Sequence, residues 1–133
     1  MLEWDVVYSV GNQEIDEQHK VWIRILNEIE EIIHRKEFNY LNMLQIVEKL
    51  EKFVKFHFEY EENLMIEHSY PQIMEHTNAH NVFRDKLQNT YVLEIEKPKE
   101  FYNEMSDYLM KWLADHIMKA DKQLGVYLKE QEA

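Results

Sequence analysis

Five histidines and two carboxylates stand out in this chain. They form the pattern His19, His57-x3-Glu61, His76-x3-His80 and His116-x4-Asp121, spread over four segments. Imidazole suits iron, copper, nickel and zinc, and carboxylate adds a hard oxygen donor that can bridge two ions. Seven such groups exceed the four of a tetrahedral zinc site. Gathered in one place, they would hold two cations close together, with room for a bridging oxygen. A pair of zinc or manganese ions satisfies this donor set as well as iron does. Ferritin-like di-iron sites use a different set, with Glu on two helices and Glu-x-x-His on the other two. The one Glu-x-x-His here, Glu31-x-x-His34, lies away from the seven. The histidine-rich ratio therefore speaks against an oxygen-activating carboxylate oxidase.

The elements that must position these groups are helices. Only two Gly and two Pro occur in 133 residues, too few for the turns of a sheet. The first helix is predicted from about Asp16 to Lys36, with the seam Ile15, His19, Trp22, Leu26, Ile29, Ile33. The second runs from a cap at Asn39 to about Ile66, with the seam Met43, Val47, Leu50, Val54, His57, Glu61, Leu64. The third opens at Pro71 with Ser69 to cap it, and its seam is Ile73, His76, His80, Phe83, Leu87. The fourth runs from near Pro98 to about Lys129, with Met105, Leu109, Trp112 and His116 on its seam. Spacings of three and four mark one helical face packed in a bundle. Short connections make neighbours antiparallel; the third is expected to be the longest. The expected fold is all-α, an up-down-up-down four-helix bundle in a single domain spanning 1–133. An irregular arm covers 1–14, with Trp4 and Tyr8 packed onto the bundle and a turn at Gly11-Asn12. The bundle covers about 15–130.

The candidate ligands occupy inward positions where Leu or Ile would be expected. A buried polar group costs free energy unless it is satisfied, so each needs a partner. His19 and His57 lie equally far from the turn near residue 38, and Glu61 and His76 nearly so from the turn near residue 68. They therefore share a level. The pairs His57/Glu61 and His76/His80 share a helix face. His116 and Asp121 do not, being about 140° apart on an ideal helix. A π-bulge would put both on one face, so a widened turn is predicted between residues 115 and 122. His34 is about 22 Å along its helix from His19 and is expected at the surface. His68 falls at a turn.

Charge and composition exclude other functions. Acidic residues outnumber basic ones 26 to 15, for a net charge of −11. Nucleic acid binding needs a basic patch. No apolar run is long enough to span a membrane and no signal-peptide pattern is present. The absence of Cys removes disulfides and thiolate ligands and fits a cytoplasmic location.

The motifs resemble those of the hemerythrin family, in particular its single-domain bacterial members. The resemblance rests on Trp4-Asp5 through Tyr8, Ile15-Asp16-Glu17-Gln18-His19-Lys20, His57-Phe58-x-x-Glu61-Glu62, Tyr70-Pro71, His76-x3-His80 and Trp112-Leu113-x-x-His116-Ile117-x-x-x-Asp121-x-x-Leu124-Gly125. It covers nearly the whole chain, and all seven ligand positions are filled. It implies a non-haem di-iron centre that binds O2 reversibly. One Fe ion would be held by His76, His80 and His116, the other by His19 and His57. Glu61, Asp121 and an oxo or hydroxo group would bridge them. The two-histidine iron is then one ligand short, which leaves a place for O2. Trp22, Phe58, Trp112, Leu113 and Ile117 lie within a turn of these residues and are expected to wall the O2 pocket. The expected role is an oxygen carrier, store or delivery protein and not an enzyme. The alternatives are an O2- or redox-sensing module and, more weakly, an enzyme acting on peroxide or nitric oxide. A sensor needs an output domain, and a bundle that fills the chain from its first Met favours the carrier.

Overall fold

A computed structural model describes residues 2–132. Its long elements are α1 (Gln13–Arg35), α2 (Tyr40–Glu67), α3 (Ile73–Glu94) and α4 (Pro98–Trp112). The last continues through a π-helical segment, Leu113–Asp121, into α5 (Lys122–Gln131). No strand occurs among the described residues. α1 packs on α2 and α4, and α3 packs on α2 and α4. This makes a four-helix bundle whose fourth rod is α4, the π segment and α5.

Side-chain caps open the first two helices. The Asn12 side chain accepts from the Ile15 amide at 2.9 Å and opens α1. Asn39 does the same for α2 through the Asn42 amide at 2.7 Å. Such caps satisfy amides that have no partner within the helix. Lys36 closes α1 in the left-handed conformation, with φ 56°. Before α1, Val6–Tyr8 form a short 3-10 turn. Tyr8 packs partly buried against the core and Trp4 lies 5.8 Å from it, ring to ring.

The opening of α3 differs from the expectation. Pro71 lies in the connecting turn, the helix begins at Ile73, and Gln72 precedes it without a side-chain cap. Residues 68–70 are already committed to ending α2. The His68 amide donates to Leu64 and the Tyr70 amide to Met65, while Ser69 takes a φ of 53°. Ser69 therefore terminates one helix and does not cap the next. The third connection also proves short, residues 95–97, because α3 continues to Glu94.

The core has two parts. A large apolar cluster contains Trp22, Leu26, Leu50, Val54, Phe58, Phe83, Leu109, Trp112 and Ile117. A smaller one contains Val10, Ile15, Met65, Tyr70, Leu124 and Leu128. Along α1, His19 falls between Ile15 and Trp22. Along α2, Glu61 falls between Phe58 and Met65, and along the fourth rod Asp121 falls between Ile117 and Leu124. The bundle thus carries a polar layer between two apolar ones. No helix of the described residues is long and apolar enough to cross a membrane.

Candidate metal centre

All seven chemistry-bearing residues meet in that layer. His19, His57, Glu61, His80 and Asp121 are completely buried, and His76 and His116 nearly so. Each of the four rods contributes: α1 His19, α2 His57 and Glu61, α3 His76 and His80, and the π segment His116 and Asp121. The π segment resolves the spacing conflict. Its buried residues are Leu113, His116, Ile117 and Asp121, so a turn widened beyond the α geometry carries i and i+5 on one face. It begins two residues earlier than the sequence predicts.

The two carboxylates divide their oxygens between two sets of histidines. Glu61 Oε1 lies 3.1 Å from Nε2 of both His76 and His80. Its Oε2 lies 3.3 Å from His57 Nε2 and 3.8 Å from His19 Nε2. Asp121 Oδ1 lies 3.0 Å from Nε2 of both His76 and His116, and its Oδ2 lies 3.0 Å from His19 Nε2. One oxygen of each carboxylate therefore faces the trio His76, His80, His116, and the other faces the pair His19, His57. Two overlapping groups result, Glu61-His76-His80-His116-Asp121 and His19-His57-Glu61-Asp121, each with its donor atoms within 4.8 Å of one another.

These contacts are close, yet most are not hydrogen bonds. Nε2 of His19, His57, His80 and His116, Oε2 of Glu61 and both Asp121 oxygens are buried without a hydrogen-bonding partner. Native interiors leave few such atoms. Lone pairs aimed at a shared point, and not at each other's protons, are what a bound cation requires. The donor set fits a metal.

Charge in the layer is paired. Burial and the nearby Asp121 push the Glu61 carboxyl up, but His57, His76 and His80 outweigh them and hold it down at about 2. Burial pushes Asp121 up too, and His116, His19 and His76 bring it well below the usual carboxylate range. Burial depresses His57 to about 4. Burial also lowers His76, but Asp121 and Glu61 overcome it and raise the group to about 9. Both carboxylates stay ionised in the interior, where an unpaired charge is costly.

The family model for the hemerythrin HHE cation binding domain matches residues 10–128. The chain belongs to the hemerythrin family. It is 25% identical over 126 residues to a bacteriohemerythrin of Clostridium acetobutylicum, covering 92% of this chain and 98% of that one. A bacteriohemerythrin of Stenotrophomonas maltophilia is 26% identical over 122 residues, covering 92% and 78% of the two chains. A hemerythrin-like protein of Naegleria fowleri is 27% identical over 120 residues, covering 90% and 87%.

Around this hemerythrin layer stand residues whose roles the sequence analysis did not assign. Gln18 and Glu62 each meet the far nitrogen of a histidine, His57 Nδ1 at 2.7 Å and His80 Nδ1 at 2.8 Å. Phe53 stacks on His57 with ring centroids 5.5 Å apart, and Phe83 lies 4.8 Å from Trp112. Of the expected pocket residues, Phe58 stacks on His80 at 3.9 Å and Trp112 on His116 at 4.0 Å. Trp22, Leu113 and Ile117 are buried in the same apolar cluster. His34 is exposed, and His68 sits half-buried at the end of α2.

Proposed function

We propose that the layer holds two iron ions and binds O2 reversibly, as a carrier, store or delivery protein. The division of each carboxylate between the trio and the pair of histidines carries this reading. Glu61 and Asp121 would be shared between the two ions, His76, His80 and His116 would hold one, and His19 and His57 would hold the other. An oxo or hydroxo group would complete the centre. The first group offers five donors and the second four, so an ion on the two-histidine side would be left with more room for O2. When bound in the ferrous state, iron supplies the electrons that O2 takes up.

The remaining residues act on water and protons. The aromatic rings of Phe58 and Trp112 lie flat on two ligand imidazoles and close the layer on the side of the large core. Trp22, Leu113 and Ile117 extend that apolar cover. In such surroundings neither water nor a stray proton readily displaces a bound small molecule. Imidazoles bound through Nε2 keep no free basic nitrogen, which favours binding over turnover.

Iron quantification combined with optical spectra of the reduced protein before and after air tests the reading. About two irons per chain and a charge-transfer band that disappears on removing O2 are expected. One metal per chain, zinc retained after iron loading, or a band that never reverses would overturn it.

A further inference from the structure

His57 and His80 both aim Nε2 into the layer, but unlike groups hold them from behind. His57 Nδ1 meets Gln18 Oε1, a neutral acceptor, at 2.7 Å. His80 Nδ1 donates to Glu62 Oε2, a carboxylate, at 2.8 Å. Orientation alone needs only an acceptor, and a glutamine supplies that for His57. The carboxylate therefore adds something beyond orientation, namely charge. Arg84 tempers that charge, with Nη2 3.1 Å from both Glu62 oxygens. Arg84 Nη1 donates to Asn81 at 2.8 Å, and the guanidinium stands 5.1 Å over the Phe58 ring. The same ring stacks on His80. His80 is thus tied to the partly buried Arg84 by both a hydrogen-bond chain and a stack.

A carboxylate that accepts a hydrogen bond from a ligand imidazole's N–H pushes electron density to the opposite nitrogen and makes it a stronger donor. A stronger donor favours the higher oxidation state of its metal. We propose that Glu62, moderated by Arg84, is a positioning residue that makes the three-histidine ion the more readily oxidised member of the pair, while Gln18 leaves the two-histidine ion with the weaker donors. The inference rests on the di-iron reading above.

Redox titration of the iron-loaded full chain, with iron content measured on every sample, tests it. Glu62→Gln keeps an oxygen for His80 Nδ1 and removes the charge, so the midpoint potential rises. Arg84→Met keeps apolar cover over Phe58 and frees the Glu62 charge, so the potential falls. Gln18→Glu places a carboxylate behind His57, and the potential falls again. A tenfold change in ferric preference, about 59 mV for one electron, is the expected scale. Unchanged potentials with iron retained would reduce Glu62 to a structural acceptor. So would Glu62→Gln and Arg84→Met shifting in the same direction. If Glu62→Gln fails to load iron, the opposed expectation for Arg84→Met still decides. A wild-type chain that takes up no iron fails at the earlier reading, and both fall together.

Discussion

His116 Nε2 stands 3.0 Å from Asp121 Oδ1, although an α-helix would point these two residues in different directions. The π segment Leu113–Asp121 removes the conflict. Such segments are rare, and they occur mostly as short irregularities at functional sites. Here the irregular stretch ends on Asp121, whose carboxylate faces histidines from three rods. A metal drawing those groups together would hold the widened turn in place.

Chelating the metal should therefore loosen the π segment first. After iron removal, amide hydrogen exchange within 113–121 is expected to accelerate more than exchange in the α2 stretch 43–54, whose buried residues Met43, Ile46, Val47, Leu50 and Val54 are all apolar. No acceleration in 113–121 would show that the segment stands without the metal, and equal acceleration in the two stretches would show that the metal holds the whole bundle and not this turn in particular.

The histidines outside the layer serve as controls. His34→Ala and His68→Ala are expected to leave iron content at the wild-type level, because His34 is exposed and His68 lies at the α2 end. His76→Ala removes the one imidazole that lies near oxygens of both carboxylates from the trio side, and iron content should drop. Iron lost from either control would displace the assignment of the layer.

Much of this architecture is visible in the sequence because it rests on period. The seam Ile15, His19, Trp22, Leu26, Ile29, Ile33 is a strict alternation of four and three, and the first five are buried while Ile33, near the helix end, is half-buried. The widened turn is visible for the opposite reason, since His116 and Asp121 break the period while sharing the chemistry. The groups behind the histidines leave no such trace. Gln18 and Glu62 stand in the quoted motifs, but they are adjacent in sequence to inward residues and no period assigns them a partner. Their partners lie 39 and 18 residues away, so only packing reveals them. The start of α3 was hidden because Ser69 and Pro71 suit a helix opening locally, while the end of α2 claims residues 68–70.

Leu113 opens the π segment, buried in the cluster that includes Trp112 and Ile117. Leu113→Asn puts an amide into that apolar cover, where it costs about 1–3 kcal/mol if left unpaired. It also gives water a partner beside the layer. Faster oxidation of the ferrous protein in air, with iron content unchanged, is the expected result. An unaltered oxidation rate at full iron content would confine Leu113 to packing.

Gly125 in α5 tests how the N-terminal arm is held. In an open helix, Gly→Ala stabilises by about 1 kcal/mol. Here a Cβ would fall 1.8 Å from the Val10 carbonyl oxygen and 3.0 Å from its Cβ. The obstacle is backbone, and it is tethered, because the Val10 amide donates to Asp16 Oδ1 at 2.8 Å. Gly125→Ala should therefore destabilise the protein, by about 1–3 kcal/mol in urea unfolding, the usual scale for overpacking. Releasing the tether should relieve the clash. Asp16→Ala destabilises on its own, but in its background Gly125→Ala is expected to cost less than in the wild type. Neighbouring residues that share a strain are non-additive in this way. If Gly125→Ala stabilises the wild-type chain, the arm yields at Val10 without cost. If the two losses simply add, the Asp16 tether is not what keeps the arm against α5.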